Sequence, residues 1–261
     1  MERPLPEISK DVFLSSNAKF KRAAGHYLHV RDKWLPDFHS NNPVKLVYRD
    51  FGQGRMPVLI NPSVPLAASL IFGEFIHNLR GAFDHLTSAI FQQVTKENAS
   101  SRVNFPSGTR REIVEFPQTK DHKQFKKKAA PLWSHIVNEI RPYKSAGSGP
   151  PADDLLWTLF QLNNRDKHRV LLTQLTTTFA NHAIGDENTK AWLEGNRYTG
   201  AGEFPLGVII AEGFTIQEIS ESQISLCEED LLPMTPMAIA MEQFLDVSSS
   251  ALRSIQEFLF P

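Results

Sequence analysis

The thirty residues from Pro65 to Val94 follow one helical period without a break, and no other segment constrains the fold as much. With Glu74 at the origin of a helical wheel, Phe72, Phe75, Ile76, Leu79, Ala82, Phe83, Leu86 and Ile90 fall at roughly 80° to 200°. An apolar arc of that width requires cover from other elements. Pro65 suits the first turn. Glu74, His77 and Asn78 interrupt the run, so it falls short of the roughly 20 apolar residues a bilayer span needs. Opposite the apolar arc lie Glu74, His77, Asn78, Gly81, Asp84, His85 and Ser88. Arg80 sits at the edge, four residues before Asp84 and able to pair with it. A solvated helix face is normally filled with Lys, Glu, Gln and Ala, yet this arc has no lysine. Gly81 at its centre costs about 1 kcal/mol against alanine, which predicts a close neighbour there, either a helix or a ligand.

A second helix is predicted from Asp154 to about Gln174. Around Trp157, the residues Phe160, Leu171, Leu172 and Leu175 cluster within roughly 60°. Asn164 and His168, spaced i, i+4, land inside that stripe, and Lys167 flanks them. The spacing therefore predicts that Asn164 and His168 are buried, where an unpartnered amide or imidazole costs about 1–3 kcal/mol. The polar arc of the 65–94 helix would supply partners. The expectation is that the two helices face each other and enclose a polar pocket lined by Glu74, His77, Asn164, Lys167 and His168. The alternative is a structural hydrogen-bond network that holds helix register.

The rest of the chain reads as α+β within a single domain, 1–261, without internal repeats or βαβ alternation. Its helical core spans about 13–175. The first helix runs over 13–38, with Pro36 fraying or kinking its end. A hairpin occupies 43–61 around Gly52-Gln53-Gly54, with Pro57 marking an edge strand. Residues 99–118 read as a loop, 120–128 as a short basic helix and 131–143 as a helix stopped by Pro142. Strands follow over about 176–228, with a polar surface loop at 181–203. A C-terminal helix covers 236–259, with Met241, Phe244, Leu245, Leu252 and Ile255 as its stripe.

The chain is 41% apolar and 22% charged, with a net charge of -1. That balance excludes a globally basic nucleic-acid binder and leaves room for local patches. Cys227 is the only cysteine, so no intrachain disulfide forms, and the N-terminus shows no apolar signal core. Both point to a cytoplasmic protein with no membrane association.

Glu74-x-x-His77 has the spacing of di-iron carboxylate bundles, but that architecture needs the motif twice and it occurs once here. No cofactor is predicted. A single divalent metal held by Glu74, His77, His85 or His168 stays open as an alternative, as part of a metal- or small-ligand-binding enzyme. The run "KDHKQFKKK", with Lys123, Lys126 and Lys127, is a candidate RNA-phosphate contact; a solvated helix around Phe125 is the plainer account.

In "HNLRGAFDHL", Arg80-x4-His85 resembles the Arg-x(4–6)-His signature of HEPN domains, helical domains of bacterial toxins, defence proteins and RNases that usually work as dimers. The resemblance implies a homodimer that cleaves RNA without metal. His85 would transfer a proton, Arg80 would stabilise phosphorane-like charge, and Asn78 or Asp84 would orient the pair. On an uninterrupted helix Arg80 and His85 lie about 140° apart, so they would meet through a helix distortion or across a dimer interface. A third reading is a non-catalytic interaction protein whose buried polar network is structural.

Overall fold

The periodic segment forms α3, Leu66–Thr95, an α-helix without distortion along its length. The computed structural model to which it belongs describes residues 6–50, 55–97, 103–145, 154–168, 174–184, 191–199, 201–205, 222–228 and 231–261. The architecture is α+β, with helices and two small antiparallel sheets. None of the described helices is long and apolar enough to cross a membrane. The chain gathers into two units, each built from separate stretches: 1–28, 71–171 and 239–261 in the first, 29–70 and 172–238 in the second.

The first unit is helical. Besides most of α3 it holds α1 (Phe13–His29), α4 (Arg111–Glu115), α5 (Lys120–Lys128), α6 (Ala130–His135), α7 (Leu155–His168) and most of α8 (Met237–Leu259). The whole apolar arc of α3 is buried, as its width requires. Its ring Phe83 joins Phe105 at 4.9 Å and Phe160 of α7 at 5.5 Å, and about two turns further Phe91 meets Phe125 of α5. Phe125 in turn stands edge-on to Trp133 of α6 at 5.7 Å, so a chain of aromatic contacts joins α3, α5 and α6. The helix α5 begins where the sequence places it, because the Thr119 hydroxyl accepts from the His122 N–H at 3.2 Å and caps it. After α6 the helix widens into a π turn, Ile136–Ile140. It ends at Arg141, which adopts a left-handed conformation at φ 53°, with Pro142 next.

His135 of α6 stacks on Phe258 of α8 at 4.5 Å, and its Nε2 lies 2.9 Å from the Ser254 hydroxyl. Burial in this contact lowers its pKa below the ordinary histidine range, against the opposing pull of Glu139 and Ser254. A histidine whose folded pKa is depressed contributes full stability above its unfolded pKa of about 6.5, and that contribution is lost as pH falls through the folded value. Thermal melts across this range should therefore show Tm falling below about pH 6.5. In His135→Gln, which keeps a group able to bond Ser254, the fall should be shallower. Identical pH profiles for the two proteins would remove His135 from the acid response.

The second unit carries the strands. The helix predicted over 13–38 runs on instead through a π turn, Val30–Trp34, into α2 (Leu35–Asn41). Leu35 N–H bonds the Val30 carbonyl, and Pro36 sits in the opening turn of α2, where a missing donor is tolerated. The hairpin strands β1 (Lys45–Asp50) and β2 (Arg55–Asn61) pair antiparallel; their connecting residues 51–54 lie outside the described residues. The strand β2 is not an edge, since β5 (Gly202–Pro205) pairs on its other side, and Arg49 of β1 bridges to Glu203 of β5. Pro57 is nevertheless accommodated, because the β5 pairing stops one residue away, at Val58.

The other sheet has the order β4-β3-β6-β7, from β3 (Gln174–Ile184), β4 (Ala191–Thr199), β6 (Ser222–Glu228) and β7 (Leu232–Pro236). Three expectations change here. Gln174 opens a strand, so α7 does not run to it. The stretch 181–203 is largely strand, because β4 pairs with β3 through its backbone despite its polar sequence. Within 99–118 there is a one-turn helix, α4, too short to display a period. Residues 206–221, within the region read as strands over 176–228, lie outside the described residues.

Candidate functional site

The polar arc of α3 is divided between two neighbours. Along one side runs α1, antiparallel to it. His85 Nδ1 lies 2.5 Å from the Ser15 hydroxyl, the Lys19 stem passes over Gly81, and His26 Nε2 lies 3.5 Å from Glu74 Oε2. His85, His77 and Glu74 are exposed. The close approach predicted for Gly81 does not occur; its nearest neighbour is the aliphatic stem of Lys19. It leaves space, since a Cβ built there would meet it at 3.6 Å, an ordinary van der Waals distance.

Along the other side, Arg80 and Asp84 fasten the segment 103–107. Arg80 Nε donates to Asp84 Oδ2 at 3.1 Å, and its Nη2 donates to the Phe105 carbonyl at 2.9 Å. Asp84 Oδ1 accepts from the Phe105 N–H at 2.8 Å, and Ser88 donates to the Val103 carbonyl. The guanidinium also lies over the Phe160 ring, 4.2 Å from its centroid. With 8% of its surface exposed, Arg80 is enclosed by these partners. Asn78, also buried, donates back to the Glu74 carbonyl of its own helix at 2.8 Å. Arg80 and His85 therefore diverge, one toward Phe105 and Phe160, the other toward Ser15. No distortion of α3 brings them together.

The contact between α3 and α7 differs from the predicted seam. It is formed by Phe83 and Arg80 against Phe160, and by Gly73 against the Asp166 carboxylate, whose oxygens stand 2.7 and 2.9 Å from a Cβ built on that glycine. Asn164, predicted buried, is exposed; Asn163 is the buried amide, 1% exposed, and its Oδ1 has no hydrogen-bond partner among the described residues. The cause is the shorter helix. Leu175, which helped to define the stripe around Trp157, belongs to β3, and burial in α7 covers the turn from Leu156 to Phe160 and continues through Leu162 and Asn163. Lys167 and His168 end α7, and their side chains lie outside the described residues.

No group of three or more His, Cys, Asp and Glu side chains converges among the described residues in a way that would hold a metal ion. Glu74 and His85 face partners on α1, so the donor set named for a metal does not assemble from them.

The basic run has a wider setting than its lysines. Between Arg110 and Lys144 stand nine Lys and Arg against four Asp and Glu, in a chain of net charge -1. Lys123 and Lys127 are exposed. Lys126 has a structural role: its Nζ donates to the Glu115 carbonyl at the end of α4 at 2.7 Å, and lies 4.9 Å from the Phe116 ring. Phe116 itself is 57% exposed, and Ile113 of α4 is also open to solvent. Arg110, Arg111, Arg141 and Lys144 belong to this surface and were not singled out from sequence. The signal available was a positive excess spread over more than thirty residues rather than a compact run.

Comparison with family models, with curated proteins and with solved structures finds no match.

Proposed function

We propose that this protein binds RNA through the basic surface of its helical unit, while the polar network on α3 is architectural. The observation that carries this reading is the local excess of positive charge between Arg110 and Lys144 in a chain whose net charge is -1. Such a patch attracts a polyanion by counterion release. The exposed Phe116 beside these cations supports a single strand, since it offers a ring on which a base can stack. Fluorescence anisotropy with a short single-stranded oligoribonucleotide should show binding that weakens steeply with salt. Replacing Lys123 and Lys127 together by glutamine should weaken it about tenfold and lower the salt slope by about two. Affinity indifferent to both salt and these lysines would sink the reading.

A HEPN-like, metal-independent endoribonuclease, of the kind found in bacterial toxin and defence systems, is the second reading. It is favoured by one observation: His85 is exposed, with the Ser15 hydroxyl 2.5 Å from its Nδ1. In it His85 moves the proton, the protein acts as a homodimer in the cytoplasm, and Arg80, Asn78 and Asp84 hold the helix that carries His85. Purified protein should then cut single-stranded RNA in the presence of EDTA, and His85→Ala should abolish the cutting. Intact RNA in that assay, or cleavage that survives the substitution, removes this reading and leaves RNA binding standing.

A further inference from the structure

Beside α4 lies a cleft of about 450 Å³ with four cationic side chains on its walls, Arg110, Arg111, Arg141 and Lys144, and one carboxylate, Glu112. Its floor is tied down by backbone contacts. Gly108 bridges to Tyr143 in parallel, its N–H bonding the Pro142 carbonyl at 3.2 Å, and the buried Tyr143 hydroxyl donates to the Val137 carbonyl at 3.1 Å. A Cβ at Gly108 would stand 2.9 Å from Ile113 Cβ, so this glycine lets α4 approach the floor closely.

The four cations are held differently. Arg111 is anchored by Glu115 at 3.3 Å and Asn138 at 2.7 Å, and Lys144 lies 5.4 Å from the Trp157 ring centroid. Neither Arg110 nor Arg141 has an ion pair or a side-chain hydrogen bond among the described residues. Arg141 is in addition left-handed, at φ 53° and ψ 57°, a conformation that glycine or asparagine adopts more readily. Two arginines unpaired among the described residues, one of them in a left-handed backbone conformation, line the same cleft as two further cations and concentrate positive potential there.

We infer that this cleft binds a phosphate monoester. With Arg111 paired to Glu115 and Glu112 on the wall, the cleft keeps a surplus of two positive charges, which matches a dianionic terminal phosphate better than a singly charged diester. Guanidinium forks also fit phosphate oxygens two at a time. The volume exceeds what a bare anion fills and lies in the range of small-ligand sites. A neighbouring groove of about 370 Å³ shares Arg110 and Glu112 with the cleft and is lined by Ile113 and Phe116, an apolar surface for the attached nucleoside. The phosphate has two sources, a free nucleotide or the 5′ end of an RNA strand; only the second rests on the RNA-binding reading above.

The test titrates the full chain with adenosine monophosphate and with one oligoribonucleotide carrying either a 5′-phosphate or a 5′-hydroxyl. A 5′-phosphate preference of at least about tenfold is expected, the scale of charge-assisted hydrogen bonds. It should vanish in Arg110→Gln and in Arg141→Asn, the latter being a residue suited to the left-handed backbone, so that loss of charge is read without added strain. Melting curves of the variants confirm that they fold. Monophosphate binding that is lost in the variants, with neither oligonucleotide bound, upholds the cleft with a free nucleotide and removes the RNA reading. Equal binding of both oligonucleotides with none of the monophosphate overturns the cleft and leaves the RNA reading in place. Binding of nothing ends both.

Discussion

Asp84→Ala is expected to destabilise the protein by about 3 kcal/mol, because it strips a buried guanidinium of its counter-charge. Two separate losses add up in that substitution. Arg80 loses the carboxylate that takes its Nε at 3.1 Å and its Nη2 at 3.0 Å, and the Phe105 N–H loses its acceptor at 2.8 Å. Asp84 is itself partly exposed, so water offsets some of the cost. That exposure keeps the figure at the lower end of the range for a broken buried pair. Arg80→Met should cost less than Asp84→Ala. A thioether chain still covers Phe160, and the carboxylate left behind keeps its bond from Phe105 and meets solvent. Urea titration of the two single variants and the double variant measures the coupling. A double variant no less stable than Asp84→Ala alone would show that the pair acts as one unit. If all three melt within about 0.5 kcal/mol of the parent, the network is not structural and the architectural reading of α3 fails.

The two helical glycines of α3 should respond to alanine with opposite signs. Gly73→Ala is expected to destabilise by about 2 kcal/mol, because the new Cβ would stand 2.7 Å from an Asp166 carboxylate oxygen and force α7 or that side chain to shift. Gly81→Ala should stabilise by up to about 1 kcal/mol. Its Cβ meets only the Lys19 stem at contact distance, and alanine restricts the unfolded chain. The distinction isolates packing from helix propensity, since both sites are interior to one helix. In an Asp166→Ala background, Gly73→Ala should become neutral or stabilising. A Gly73→Ala penalty unchanged in that background would mean the clash lies elsewhere.

Several features of this molecule were readable from residue order. The apolar arc of α3 is a matter of spacing, and each of its members is buried as that spacing requires. The lysine-rich helix has a local start signal in Thr119, and the C-terminal helix shows its stripe by spacing, with Met241, Phe244, Leu252 and Ile255 buried. Asn163 and Asn164 show where this reading stops. Adjacent amides differ by about 100° on the wheel, so an apolar stripe drawn through a leucine that belongs to the next strand moves the burial from one to the other. The same limit explains Arg110 and Arg141, which stand thirty-one positions apart and share a cleft only because Gly108 and Tyr143 pair.

Period and capping are local: they depend on residues within a turn or two of one another, and the chain carries them wherever it goes. Residue order alone was enough for the long helices α3 and α8, their apolar faces and the α+β class. The partner of a polar side chain is not local. His85 meets Ser15 across seventy positions, and Arg80 meets Phe160 across eighty. Only packing assigned one half of the α3 polar arc to α1 and the other half to the segment beyond it. Three-dimensional proximity separated residues that a wheel places on a common face and gathered cations that no spacing rule connects.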